Sequence, residues 1–110
     1  MFSASHSLQN LAEGHPCCNL HGHNYEVIIE LRSEKLIKTG FVLDYRDLTP
    51  VKKYLDTFLD HKHLNDVLLL VNPTAELIAL HLYETFKPTI PALYAVEVSE
   101  TPKTSARYEH

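Results

Sequence analysis

The segment from His21 to Arg32 constrains the fold of this chain more than any other. His21, His23, Tyr25, Val27, Ile29 and Leu31 fall on one side of a period-two pattern, and Asn24, Glu26, Glu30 and Arg32 fall mostly on the other. Such alternation predicts a strand with one buried face, because successive side chains of an extended chain point to opposite faces. Its first two inward positions are histidines. In His21-Gly22-His23 the rings point to the same side and can bite one metal ion, and His6, on a short predicted strand with Phe2 and Ala4, offers a third ligand. Three protein ligands with a fourth position left open is the pattern of a catalytic zinc, not of a structural one.

The rest of the chain supplies the other layer. Gln9 to Asn19 holds Gly14 and Pro16 and reads as an irregular loop, and Gly40 to Tyr45 reads as a third strand. Asp47 is placed to cap a helix whose apolar positions are Leu48, Val51, Leu55, Phe58 and Leu59, with Pro50 tolerated in its first turn. Asp60 to Asn72 reads as loop or short helical turns. Asn72-Pro73 suits the cap and first position of a second helix running to about Lys87, apolar nearly all round from Leu77 to Tyr83. Tyr94, Val96, Val98 and Glu100 alternate with Ala95, Glu97 and Ser99 in a further strand, and Ser105 to Glu109 reads as the last. Strands separated by a helix pair predict one α+β domain over residues 1–110, with an antiparallel sheet and its helices on one face. The exposed edges of so small a sheet favour pairing between subunits.

Composition narrows the function classes. The formal charge of −4 argues against nonspecific nucleic-acid binding, which needs a basic face. The longest apolar run, around Val67 to Val71, is far short of a membrane span, and no export signal opens the chain. Cys17 and Cys18 are adjacent, where a disulfide would be strained, so they read as free thiols and imply a reducing, cytoplasmic setting. Eight histidines in 110 residues point toward metal chemistry.

Each candidate has a plainer alternative. His61-Lys62-His63 repeats the His-x-His spacing, but in a predicted loop flanked by Asp60 and Asp66. The two cysteines are inert side chains, two more ligands of a closed zinc site, or one reactive thiolate. Their adjacency disfavours a structural zinc clip, which wants two to four residues between cysteines. A thiol near a divalent cation is acidified and serves as a base or nucleophile at neutral pH. Asp60-His61 is a carboxylate–histidine dyad if the two side chains face each other. Glu100 lies on an otherwise apolar face, where a carboxylate is expensive unless paired, so it reads as a ligand anchor or a buried ion pair. Glu76 is a simple helix-dipole partner, and His81 a hydrogen-bonded core histidine.

Six segments then occur in order: Phe2-Ser-Ala-Ser-His6, Cys17-Cys-Asn-Leu-His-Gly-His-Asn-Tyr25, Gly40-Phe-Val-Leu-Asp44, Leu59-Asp-His-Lys-His-Leu-Asn65, Asn72-Pro-Thr-Ala-Glu76 and Glu100-Thr101. Together they resemble the 6-pyruvoyl-tetrahydropterin synthase family, and more closely its bacterial, carboxytetrahydropterin-forming branch. The resemblance implies a tunnelling fold, a four-stranded antiparallel sheet backed by two helices. It also implies a hexamer made of two stacked trimers. It implies zinc held by His6, His21 and His23, a catalytic Cys17, and a proton relay of Asp60 and His61. Glu100 would grip the pterin's amino-pyrimidine edge, with Thr74 and Glu76 in the adjoining pocket.

The implied substrate is 7,8-dihydroneopterin triphosphate. The carboxy branch expels triphosphate and cleaves a carbon–carbon bond, giving 6-carboxy-5,6,7,8-tetrahydropterin and acetaldehyde on the route to 7-deazaguanine compounds such as queuosine. The pyruvoyl branch stops after elimination and internal redox transfer. No glycine-rich phosphate loop is present, so scattered basic residues such as Lys103 and Arg107 would meet the triphosphate. A rival of another class is a non-catalytic zinc-binding oligomer with Cys17 in a structural role.

Overall fold

The computed structural model describes residues 1–8, 20–38, 40–70 and 72–110. One sheet runs in the order β3-β1-β2-β4-β5. Its strands are β1 (Phe2–His6), β2 (His21–Leu31), β3 (Lys62–His63), β4 (Leu93–Thr101) and β5 (Thr104–Glu109). The pairings β1–β2, β2–β4 and β4–β5 are antiparallel, and these four strands make the expected sheet. β3 extends it by a two-residue parallel edge on β1, opposing Ala4 to Lys62 and Ser5 to His63. Burial follows the alternation on β1, where Phe2, Ala4 and His6 are buried and Ser3 and Ser5 only partly so. On β2 the same side carries Tyr25, fully buried and stacked on Phe2 with ring centroids 4.9 Å apart.

Among the described residues, helices pack on that face. A 3-10 turn (Tyr45–Leu48) leads into α1 (Thr49–Tyr54), which continues as a π-helical stretch, Leu55–Leu59. Val51, Leu55 and Leu59 are buried, four residues apart, as an inward stripe requires. Phe58 departs from the expected stripe: it is exposed and rests beside the Tyr54 ring at 5.2 Å. The turn widens here, Asp60 N–H donating five residues back to the Leu55 carbonyl at 2.8 Å, and position 58 falls outside the stripe. After α2 (Leu64–Val67) comes α3 (Ala75–Phe86), which lays Ile78, Ala79, Leu82 and Phe86 into the core against β4 and β5.

Three sequence expectations are corrected. Gly40 to Tyr45 forms no strand. Gly40 adopts φ +88°, its N–H donates to the Ile37 carbonyl at 2.8 Å, and Phe41, Val42 and Leu43 line a cleft with Ile29, Leu31 and Leu48. β1 pairs on its far side with β3 instead. The first helical segment is capped by Asp44, not Asp47: its Oδ1 accepts from the Arg46 N–H at 2.9 Å. The cap of α3 is Thr74, two residues beyond Asn72, its Oγ1 accepting from Leu77 N–H at 3.2 Å. Pro73 lies outside the helix, and its carbonyl meets His6 Nδ1 at 2.9 Å.

Candidate metal centre

The antiparallel register of β1 and β2 sets His6 directly opposite His21 and Ala4 opposite His23. Residues opposed in this way share a face, and positions 21 and 23 share it again by alternation. Three imidazoles therefore meet at one spot. The centroids are 4.5 Å apart for His6 and His21, 5.1 Å for His6 and His23, and 4.8 Å for His21 and His23. One ring nitrogen from each lies within 4.8 Å of the others, and the Nε2 atoms of His6 and His21 are 2.9 Å apart. Gly22 between them packs closely: a Cβ there would sit 3.3 Å from the Ala4 carbonyl oxygen, so a side chain would press on β1 next to the triad.

Two further observations fit this triad to a divalent cation. His6 Nδ1 is 2.9 Å from the Pro73 carbonyl oxygen, and a carbonyl only accepts, so the proton of His6 resides on Nδ1. Nε2 then presents its lone pair toward the other rings, the arrangement in which metal-binding histidines are held. The Nε2 of His23 is buried and has no hydrogen-bond partner among the described residues. A buried ring nitrogen left unpaired is costly, and a bound cation removes that cost. Burial depresses the pKa of His23, the Glu100 carboxylate raises it in part, and His6 and His21 depress it further, so the ring favours the neutral, metal-binding form.

Glu100 joins this cluster to a second one. Its Oε2 lies 3.8 Å from His23 Nε2. The β4–β5 register passes from Ser99 opposite Ser105 to Thr101 opposite Thr104, leaving Glu100 at the irregularity, where strands re-aim a side chain. Glu100 lines a cleft of about 650 Å³ with His23, Asn24 and Glu26. It also lines a smaller recess of about 190 Å³ with Thr74, Glu76 and Thr104. The three expected substrate-binding residues thus border one recess, although Thr74 spends its hydroxyl on the α3 cap.

Asp60 and His61 do face each other, with Oδ2 3.1 Å from Nδ1. They can because His61 adopts φ +59°, a left-handed conformation unusual for a residue with a Cβ. Asp60 is tied down by its Oδ1, which accepts from Ser3 N–H at 2.9 Å, while the His61 N–H donates to the Ser3 carbonyl. The His61 ring is 83% exposed, on a groove that also includes His23 of the triad together with Ser3, Ser5, Asn24 and His63. Ser3, Ser5 and Asn24 belong to the sheet face turned away from the triad. His63, the rival second histidine, is engaged by the Ser5 hydroxyl at 3.0 Å. Cys17 and Cys18 lie outside the described residues. His81 is half-buried and bonded to the Tyr54 hydroxyl at 2.7 Å. Arg107, a proposed phosphate contact, is paired instead with Glu30 at 3.0 Å.

Sequence reasoning overlooked Tyr25, Asn65 and the Pro73 carbonyl. The Asn65 amide accepts from Ser7 N–H at 3.0 Å and donates to the Ser7 carbonyl at 2.9 Å, fixing the chain one residue beyond His6. No local pattern marks such contacts, since they join residues 19, 58 and 67 apart.

The sequence profile described as 6-pyruvoyl tetrahydropterin synthase matches residues 1–110. Among curated relatives, 6-carboxy-5,6,7,8-tetrahydropterin synthase of Synechocystis sp. is 38% identical over 116 residues, covering 97% of this chain and 86% of that protein. Human 6-pyruvoyl tetrahydrobiopterin synthase is 34% identical over 127 residues, covering 98% of this chain and 86% of its own. The solved structure of Caenorhabditis elegans 6-pyruvoyl tetrahydropterin synthase superposes with a TM-score of 0.85 at 29% identity, over 99% of this chain and 89% of that one. With the fold shared, the profile matched end to end and identity above 30% across nearly the full length, the chain belongs to the 6-pyruvoyl tetrahydropterin synthase family.

Proposed function

We propose that the protein is a zinc-dependent lyase converting 7,8-dihydroneopterin triphosphate to 6-carboxy-5,6,7,8-tetrahydropterin, acetaldehyde and triphosphate, in 7-deazaguanine (queuosine) biosynthesis. The observation that carries this reading is the convergence of His6, His21 and His23 beside Glu100, which puts a cation site and an anchoring carboxylate within one side chain's length. Zinc held by the three imidazoles would supply Lewis acidity toward a hydroxyl of the substrate side chain.

The remaining work falls to this chain's own groups. Glu100 accepts from the N–H groups of the amino-pyrimidine ring, a charge-assisted pairing that fixes ring orientation. Thr74 and Glu76 border the same recess. Cys17, as thiolate, takes a side-chain proton, and His61, its tautomer set by Asp60, carries protons to and from the reacting carbons. Departure of triphosphate and cleavage between the first two side-chain carbons balance with one water. Its oxygen ends in the carboxylate, and the other two carbons leave as acetaldehyde. The exposed His61 ring suits a site completed by a neighbouring subunit. We therefore include a homohexamer, a dimer of trimers, in the proposal, together with a cytoplasmic location. No helix among the described residues is long and apolar enough to cross a membrane.

The similarity to the human pyruvoyl-forming enzyme supports a second reading, elimination of triphosphate without carbon–carbon cleavage. Incubation of the zinc-loaded protein with 7,8-dihydroneopterin triphosphate, followed by mass spectrometry, separates the two. A carboxylated tetrahydropterin with acetaldehyde supports the first, a pyruvoyl product the second. No turnover by folded, metal-filled protein overturns both.

A further inference from the structure

Tyr25 is two residues beyond His23 on the same face of β2, and its side chain is fully buried. It is stacked on Phe2 with an interplanar angle of 14°, so its ring is held from behind. It meets the triad edge-on, at 6.0 Å from the His6 ring centroid and 5.6 Å from that of His23. Its hydroxyl lies 3.2 Å from His6 Nδ1, the nitrogen that also faces the Pro73 carbonyl at 2.9 Å. An imidazole nitrogen carries one proton. With the carbonyl fixed as acceptor, that proton lies between two oxygens, and the Tyr25 oxygen is its second acceptor.

We propose that Tyr25 is a positioning residue for the metal triad, acting through His6. A carbonyl alone tolerates swings of a ring about its χ2 torsion, because its acceptor directions are broad. Two oxygens from separate elements, one on β2 and one on the approach to α3, meet the same nitrogen and restrict that swing. They keep Nε2 aimed at His21 and His23. The inference rests on the metal reading of the triad but not on the pterin reaction.

Tyr25→Phe removes the oxygen and keeps the ring stack. The zinc dissociation constants of the unaltered protein, of Tyr25→Phe and of Tyr54→Phe are compared by competition with a chromophoric chelator. Tyr54→Phe deletes the other tyrosine–histidine bond among the described residues, at His81 and away from the triad. The expected result is zinc binding about tenfold weaker in Tyr25→Phe and unchanged in Tyr54→Phe. Equal affinity in Tyr25→Phe and the unaltered protein overturns the proposal. If Tyr25→Phe is also less stable, NMR order parameters of the His6 ring in the metal-free protein and variant decide. A more mobile ring, its Nδ1–H tautomer still held by the Pro73 carbonyl, supports positioning, and an equally rigid ring overturns it. Failure of the unaltered protein to bind zinc overturns the metal reading itself, an outcome distinct from equal affinities.

Discussion

Replacing His21 and His6 by alanine, one at a time, separates what the triad does for metal from what it does for the fold. A ligand that binds only the folded state at 100 times its dissociation constant stabilises by about 2.7 kcal/mol. For a domain near this size, 1 kcal/mol moves the melting temperature by roughly 4 °C, so zinc should raise it by roughly 10 °C. Either substitution removes one of three ligands and should abolish that increment. The costs to the metal-free protein differ. His21 is partly exposed, and its loss should leave the metal-free melting temperature within a few degrees. His6 is 1% exposed and contacts Tyr25, and its Nδ1 satisfies the Pro73 carbonyl. Its removal leaves a cavity and an orphaned buried acceptor, for about 2–4 kcal/mol of destabilisation. Differential scanning calorimetry with and without zinc reads both quantities. Retention of the zinc increment in His21→Ala would falsify the triad as the metal site. Equal metal-free stabilities for the two variants would refute the reasoning about His6.

Four more outcomes are expected. Cys17→Ser should load zinc and melt as the unaltered protein does while losing turnover; loss of zinc would return Cys17 to a structural role. Asp60→Asn should keep stability within about 1 kcal/mol, since His61 is largely exposed, but cut kcat by about 10²–10⁴ because the amide favours the wrong His61 tautomer; an unchanged rate refutes the relay. Glu100→Gln should raise KM for the pterin with zinc content unchanged, as checked by steady-state kinetics and metal analysis. Burial lowers the pKa of His23, with Glu100 opposing, and burial lowers that of His81 against the opposing Glu84. The unfolded chain therefore binds more protons than the folded one from about pH 6.5 down to the depressed values, and metal-free stability falls as pH drops through that window. Urea midpoints at pH 7.5 and 5.5 test this, and a higher midpoint at 5.5 contradicts it.

Where function is carried by alternation along one strand, the sequence by itself was enough. The period-two run from His21 fixed a half-buried strand and the shared side of His21 and His23, because side-chain direction in an extended chain is a local property. The stretch from Gly40 to Tyr45 misled for the complementary reason. Its apolar residues fit a strand, but Gly40 turns the chain at φ +88° and Phe41, Val42 and Leu43 line a cleft with Ile29, Leu31 and Leu48 instead of joining the sheet. Asp60 beside His61 was legible as a pair, yet only a positive φ at His61 turns the two side chains together. Likewise Glu100 was legible as a misplaced charge, but its station between His23 and the recess of Thr74 and Glu76 depends on a register irregularity against β5. The Pro73 carbonyl and the Tyr25 hydroxyl reach His6 across 67 and 19 residues, respectively. The tertiary structure alone decided those contacts, because hydrogen bonds of a few ångströms are set by strand register and helix docking, which no local run of residues encodes.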